Sequence, residues 1–240
     1  MVERHTWLMR ILIVSDIHAN FEALSRIPEG WDHVLCLGDL VDYGPDPVPC
    51  VAWVRERATV AIRGNHDQAV ASRVDCRCAP VMQEASQRTR ELMWQLLGPD
   101  DLGYLSARPL TADLELDGVR FHMVHATPSD PLYRYLRPSD EARWKAEVEA
   151  LKADILLVGH THLPMLLQVG EKIVLNPGSV GLPSDGDPRA AFAVIEDGVP
   201  RLERVEYDVE ATVGRLDRKT LPATVVDKLS RLLRTGGARI

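Results

Sequence analysis

The amino-acid sequence predicts an α/β fold, and three observations carry that reading. Through the first third of the chain, short continuous apolar runs alternate with segments of helical periodicity, the signature of β-α-β units. Beyond residue 110 the pattern changes to strand-like alternation punctuated by turns. The composition, 240 residues with 45% apolar and 26% charged side chains, is that of a globular chain long enough to bury a core without disulfides or a structural metal.

The first strand is expected at residues 10–15, where Ile11, Leu12, Ile13 and Val14 follow one another. A short helix at 21–27, a strand at 34–37, a helix at 48–57 and a strand at 59–62 come next. Each of these strands is apolar on both faces, as when helices cover both sides of a sheet. Residues 81–97 carry apolar side chains at helical spacing with Arg88, Arg90 and Glu91 between them, which predicts a long amphipathic helix. Strands at 111–116 and 119–125 flank Asp117-Gly118, and in the second of them Val119, Phe121 and Met123 alternate with Arg120 and His122. Asp-Gly between alternating runs is a strong hairpin signal. Ser139 is the expected N-cap of a helix over 139–151, which leads into a buried strand at 155–158. Strands at 164–169, 172–175, 191–195 and 201–207 and helices at 211–216 and 223–233 complete the chain. No repeat, low-complexity tract or Pro-, Gly- or Ser-rich linker divides it, so a single domain is expected over residues 9–240. Residues 1–8, ahead of Met9-Arg10, read as an N-terminal extension outside the core, with His5 idle in it.

The formal net charge is −7, from 28 basic and 35 acidic residues, a field that repels polyanions and argues against extended nucleic-acid binding. The longest apolar runs are strand-sized, far short of the roughly 18 residues of a membrane span, and no membrane partner is expected. Residues 1–8 lack the apolar stretch and cleavage site of a secretory signal, which predicts a cytoplasmic protein. Its four cysteines would then be reduced thiols. Cys36 reads as core and Cys50 carries no signal, while Cys76 and Cys78 lack the C-x-x-C spacing and the second pair of a zinc site. A homo-oligomer stays open.

Chemistry gathers at the strand ends. Asp16 and His18 follow the first strand, Asp39 the second, and Asn65, His66 and Asp67 the third; His125 ends the strand that begins at Val119, and His160 and His162 follow the strand at 155–158. The C-terminal ends of strands are where α/β sheets place their ligand sites. One such residue is ordinarily a turn or a helix cap; five clusters together are not. The donors are carboxylate, imidazole and amide without thiolate, a set suited to Mn²⁺, Fe or Zn²⁺. They are too many for one tetrahedral ion, so two ions sharing a bridging carboxylate is the natural count.

Asp16-x-His18, Gly38-Asp39-x-x-Asp42, Gly64-Asn65-His66-Asp67, His125 and Gly159-His160-x-His162, in that order, resemble the calcineurin-like metallophosphoesterases, in particular their small bacterial phosphodiesterase branch. The resemblance runs from about Met9 to Ile195 and includes Asn176-Pro177-Gly178-Ser179-Val180, which looks like the turn after the last ligands. It implies a four-layer sandwich of two mixed β-sheets flanked by helices. It implies two divalent ions, Mn²⁺ first, with Fe, Zn²⁺ or Ni²⁺ as alternatives. Asp16, His18 and His162 would hold one ion and Asn65, His125 and His160 the other, with Asp39 bridging. The implied activity is hydrolysis of phosphodiester or phosphomonoester bonds by a hydroxide held on the ions, with small phosphodiesters or nucleotides as the first substrates. His66 would be catalytic, reaching the phosphate and protonating the leaving oxygen. A phosphoprotein phosphatase of the same fold and a non-catalytic protein-interaction scaffold are the alternatives; the filled metal positions and His66 weigh against the scaffold.

Around this set, Asp42 is expected to orient the loop or His66. Asp67 either pins the His66 ring or caps a helix, and Arg63 either binds phosphate or pairs at the sheet edge. The Pro-rich segment 127–138 should be a loop over the site. There Tyr133, Arg134, Tyr135 and Arg137 either stack on a base and pair with a second phosphate or pack the loop down. Ser179 lacks the G-x-S-x-G elbow and reads as a turn, and Asp187 and Arg189 are candidates for the opposite rim.

Overall fold

The computed structural model describes residues 9–217 and 220–237, so the expected extension at 1–8, His5 included, lies outside the described residues. In chain order the strands are β1 (Ile11–Val14), β2 (His33–Cys36), β3 (Val60–Ala61), β4 (Thr111–Leu116), β5 (Val119–Val124), β6 (Ile155–Leu157), β7 (Met165–Val169), β8 (Lys172–Asn176), β9 (Ala190–Glu196) and β10 (Val199–Val205). The helices are α1 (Phe21–Leu24), α2 (Pro47–Arg57), α3 (Asn65–Ser72), α4 (Gln83–Leu96), α5 (Pro99–Ala107), α6 (Glu141–Glu149), α7 (Val209–Arg215) and α8 (Ala223–Thr235).

The strands form two five-stranded sheets, in the orders β10-β9-β1-β2-β3 and β4-β5-β6-β8-β7. Both are mixed. β1, β2 and β3 run parallel, with β9 antiparallel to β1; β5, β6 and β8 run parallel, with β4 and β7 as antiparallel edges. Two-residue periodicity divides each apolar run between two environments. Ile11, Ile13, Leu35 and Leu37 point to the second sheet and meet Phe121, Met123, Ile155 and Leu157. Leu12, Val14, Val34 and Cys36 point the other way, onto Leu24, Val51, Val54, Met93 and Leu105 of the helical layer. The apolar runs alone read as strands with helices on both faces, whereas the family resemblance implied a second sheet; a helical layer covers one face and the second sheet the other. On the far side Val124, Leu156 and Val174 lie under Trp144 and Val148 of α6, completing the four layers.

Several boundaries differ from expectation for local reasons. α1 ends at Leu24 rather than at 27; Pro28 disfavours helical backbone in the residue before it. α6 starts at Glu141 with Asp140, not Ser139, at its N-cap position, and the Asp140 carboxylate accepts the Arg137 amide at 2.8 Å. α5 was not expected, and α3 only through the helix-capping alternative for Asp67. Both begin after a glycine whose amide donates to an aspartate three residues on, Gly64 to Asp67 at 3.1 Å and Gly98 to Asp101 at 3.3 Å. Among the described residues no helix is long and apolar enough to cross a membrane.

Candidate metal centre

The clusters predicted at five separate strand ends converge at one end of the sandwich. After three of the strands, β1, β2 and β6, the chain achieves this by turning sharply: Asp16 (φ 53°), His18 (46°), Asp39 (56°), Asp42 (75°), His160 (67°) and His162 (56°) all have left-handed backbone. Asp and His tolerate that region better than most residues, yet each such residue still costs on the order of 1–3 kcal/mol. Hydrogen bonds between the loops offset the cost. Asp16 N–H donates to the Gly38 carbonyl at 3.0 Å, and His18 N–H to the Asp39 carbonyl at 2.9 Å. The loops pack so closely that a Cβ on Gly64 would lie 2.1 Å from Asp39 Oδ1, which is why glycine precedes Asn65.

Two groups of donors result, Asp16 with His18 and His162, and Asp39 with His125 and His160, each with ligand atoms within 4.8 Å of one another. Asp39 Oδ2 stands between the groups, 3.1 Å from His125 Nε2 and 3.9 Å from His18 Nε2. Asn65 Oδ1 joins the second group, 3.0 Å from His125 Nε2 and 3.1 Å from His160 Nδ1. Its amide nitrogen donates to the Cys76 carbonyl at 2.8 Å, which fixes the oxygen inward.

The unused atoms of these side chains show what the site fits. His18, His125 and His162 each donate Nδ1–H to a backbone carbonyl, of Val41 (3.1 Å), Leu37 (2.8 Å) and Leu182 (2.6 Å), so each Nε2 is turned to the centre. Asp16 Oδ2 accepts from Ser15 Oγ at 2.6 Å and from the His160 amide at 3.1 Å. Asp16 Oδ1 and His160 Nε2, both buried, have no hydrogen-bond partner. Buried polar atoms are ordinarily paired; lone pairs converging from carboxylate, imidazole and amide are the donor set of divalent cations, and these residues fit two of them.

Charge is set accordingly. Burial and the neighbouring His162 bring His18 down to about 3, and burial with His125 does the same to His160, so both imidazoles are neutral. Burial alone would raise Asp16 and Asp39, but His162 beside Asp16 holds it at about 2, and His125 beside Asp39 holds it well below the usual carboxylate range. Neutral imidazole and ionised carboxylate are the ligating forms; His125, which burial would lower but the Asp39 charge holds at about 9, gives up its Nε2 proton when a cation takes its place.

His66 belongs to neither group. Its Nδ1–H donates to Asp42 Oδ2 at 2.7 Å, and Asp42 also accepts from Ser86 Oγ at 2.7 Å and from Thr89 Oγ1. Burial would lower His66, but the Asp39 charge and the Asp42 hydrogen bond outweigh it and hold the ring at about 9. Ser86 and Thr89 were missed in the sequence, although two hydroxyls three apart on the apolar face of the helix at 81–97 were a readable signal.

The remaining candidates are placed as follows. Asp67 does not touch the His66 ring: it accepts the amides of Asp39 and Leu40, both at 2.8 Å, as well as Gly64, so it binds the Asp39 loop to the start of α3. Arg63 donates to the Ser106 carbonyl at 2.8 Å and does not line the site. Tyr133 lies under the Arg77 guanidinium, 4.6 Å from the ring centroid, and Arg134 pairs with Glu147 at 3.2 Å; neither reaches the donors. Asp187 and Arg189 pair with each other at 2.6 Å. Ser179 is a turn residue, its hydroxyl donating to the Asp16 carbonyl at 2.7 Å and accepting the Leu182 amide at 2.8 Å.

Above Asp39, His66, His160 and His162 opens a cavity of about 430 Å³, walled by Tyr43, Cys78, Met82, Tyr135, Arg137 and Leu232 among others. The Tyr135 ring stacks on His160 with centroids 4.0 Å apart. Among the described residues the Arg137 guanidinium has no partner; only its backbone is bonded. A second cavity of about 520 Å³, between α7 and α8, contains none of these donors.

Comparison with known proteins agrees with this geometry. The calcineurin-like phosphoesterase superfamily domain matches residues 9–198. The crystal structure of a metallophosphoesterase from Sphaerobacter thermophilus is similar at 31% identity and a TM-score of 0.79, covering 95% of this chain and 99% of that one. Uncharacterized protein MJ0912 of Methanocaldococcus jannaschii is 28% identical over 244 residues, 91% of this chain and 96% of that protein. Phosphodiesterase YfcE of Escherichia coli is 26% identical over 215 residues, 80% of this chain and 90% of YfcE.

Proposed function

The chain belongs to the calcineurin-like phosphoesterase superfamily, and on that premise we propose that it is a dinuclear metal-dependent phosphodiesterase acting on small phosphorylated molecules, working as one domain in the cytoplasm. The observation that carries the reading is the pair of donor groups meeting at Asp39, with His66 beside them at the floor of a cavity. Asp16, His18 and His162 would hold one ion, Asn65, His125 and His160 the other, and Asp39 both, with Mn²⁺ the expected metal. When bound, the ions supply Lewis acidity toward the phosphoryl oxygens and an activated water.

The chain's own residues do the rest. His66 keeps its proton because Asp42 accepts from Nδ1, so the ring can donate to the oxygen that leaves phosphorus. Asp42 is in turn held by Ser86 and Thr89, which keeps the imidazole aimed into the cavity. Tyr135 offers a flat aromatic face and Arg137 an unpaired cation, features that suit a substrate carrying a ring and a further anionic group. A cavity of about 430 Å³ matches a nucleotide-sized ligand, which favours small phosphodiesters over a phosphoprotein loop.

The test is a titration of metal-stripped protein with Mn²⁺, reading bound metal by atomic spectroscopy alongside hydrolysis of a nitrophenyl diester, a nitrophenyl monoester and a dinucleotide. Two ions per chain with diester hydrolysis that requires them is the expected result. Hydrolysis at an unchanged rate in stripped protein overturns the reading.

A further inference from the structure

Two cysteines that the reaction does not use sit against the residues that hold His66. Cys78 is half-buried and lines the cavity, whereas Cys76 is buried, 1% exposed. Arg77 between them has left-handed backbone (φ 52°), and its amide donates to Asp75 Oδ1 at 2.5 Å, so the chain turns tightly at this point. The turn leaves Cys78 on the cavity wall with Tyr43, next to the segment that buries Cys76. Cys76 Sγ is 3.2 Å from Ser86 Oγ and 3.6 Å from the Arg90 guanidinium.

From this arrangement we propose that Cys78 is a site of reversible thiol oxidation by a hydroperoxide, with Cys76 as the thiol that closes the disulfide. Residues two apart lie within about 7 Å of each other along the chain, a range that overlaps the disulfide window of about 4.4–6.8 Å, and neither cysteine belongs to a strand or helix that closing the bond would displace. Cys78 faces the cavity while Cys76 is buried, so a peroxide reaches the Cys78 sulfur first; the neighbouring Cys76 thiol also brings Cys78 down to about 7 against the effect of burial. The thiolate attacks the distal peroxide oxygen; the O–O bond breaks, the alcohol or water leaves with the other oxygen, and Cys78 becomes a sulfenic acid. The Cys76 sulfur then attacks the Cys78 sulfur, the S–O bond breaks and water departs with the thiol proton. Two thiols lose two electrons to one peroxide, and a dithiol returns them.

The oxidation reaches the reaction through Ser86. A disulfide needs its sulfurs about 2.05 Å apart, which draws Cys76 away from Ser86. Ser86 Oγ donates to Asp42, the carboxylate that orients His66. The Cys76 carbonyl also accepts the Asn65 side-chain amide at 2.8 Å, so bound metal is counted before and after oxidation: unchanged metal content with lowered hydrolysis supports the route through Ser86, and loss of metal overturns it.

Hydrogen peroxide is added to protein loaded with Mn²⁺ and, in parallel, to metal-stripped protein, and peptides are mapped by mass under non-reducing conditions. A Cys76–Cys78 disulfide should form in both, ahead of any change at buried Cys36 and Cys50, and disappear with dithiothreitol. Cys76→Ser should accumulate a trappable sulfenic acid at Cys78, and Cys78→Ser should give neither product. Absence of the disulfide in the unaltered protein, or Cys36 or Cys50 reacting first, overturns the proposal. Hydrolysis of an alkyl diester should fall severalfold on oxidation and recover on reduction. This last readout rests on the phosphodiesterase reading, whereas the mass readout does not. Equal peroxide sensitivity in Cys78→Ser, each variant being compared with its own untreated rate, refutes the link to His66.

Discussion

The donors on the cavity floor and the side chains on its wall differ in how many constraints hold each one. Asp39 is typical of the floor. It is 1% exposed, its amide donates to Asp67, its carbonyl accepts from His18, one carboxylate oxygen accepts the His66 amide, and only the other is left for a ligand. Asp16 is bound as fully, through Ser15, the His160 amide, Ser179 and the Gly181 amide. On the wall, Tyr135 is 46% exposed and Val81 49%, and Arg137 is fixed through its backbone alone. The floor thus meets its strain and desolvation costs in advance, so that little reorganisation remains when charge develops at phosphorus. The wall leaves side-chain freedom to be lost on binding, which makes it the part able to change its ligand without disturbing the chemistry.

That contrast can be broken most directly at Asp39. Since its free oxygen faces both donor groups, Asp39→Ala should lower bound metal from two ions per chain to one or none and bring hydrolysis to background. Two retained ions, counted by atomic spectroscopy, would show that the floor does not depend on this carboxylate. Chelation tests the same region through stability. A ligand at about a hundred times its dissociation constant stabilises by about 2.7 kcal/mol, and about 2–4 °C accompanies each kcal/mol in a chain of this size. Stripping one site should therefore lower the melting temperature by roughly 5–10 °C, read by calorimetry with and without chelator. An unchanged transition would mean that the orphaned Asp16 oxygen and His160 nitrogen are satisfied in another way.

His66 stands at the border between floor and wall, and its loss should be chemical rather than structural. His66→Gln should keep both metals while lowering kcat by roughly 10²–10⁴, the usual worth of a positioned acid. The damage should be greater on an alkyl or nucleoside ester than on a nitrophenyl ester, whose leaving group needs little help from a proton. Equal losses on both would confine His66 to the phosphoryl oxygens.

The same division explains what could be read in the sequence. The floor was legible because its chemistry resides in residue type and in position after an apolar strand: Asp16, His18, Asp39, Asn65, His125, His160 and His162 all meet in the structure. The wall was not. Met82 precedes α4, Tyr135 lies in the 127–138 loop and Leu232 near the end of α8, and no local pattern signals that these segments adjoin. Asp67 and Arg63 each had two roles open in the sequence; Asp67 takes the helix-capping one and Arg63 neither, for a related reason. Adjacency to His66 suggested contact with the ring or the phosphate, whereas the backbone amides of the Asp39 loop and the Ser106 carbonyl, distant in sequence, were the partners. The second sheet as the cover of the first came from the motif resemblance and not from the apolar pattern, because an apolar strand face records that it is covered but not by what.

The smallest effect separates two arginines three residues apart in the same loop. Both were candidates for a distal anionic group, but Arg134 is bound to Glu147, which also accepts the Ser129 amide at 2.9 Å and so fastens the loop to α6. Arg137 lines the cavity with its guanidinium unpaired. A charge-assisted hydrogen bond is worth about 1.5–3 kcal/mol, and exposure puts this one at the low end. Arg137→Gln should therefore raise KM about tenfold for a dinucleotide with kcat nearly preserved, as when binding is lost equally in the ground and transition states. It should leave KM for a nitrophenyl diester, which has no second anion, within about twofold. Arg134→Ala should change KM for either substrate less than about twofold, since an exposed ion pair contributes only about 0–1 kcal/mol and its loss leaves the cavity intact. If Arg134→Ala proves the more damaging on the dinucleotide, the loop closes over substrate in a different arrangement from the one described, and the wall is positioned by Glu147 rather than by the cavity it lines.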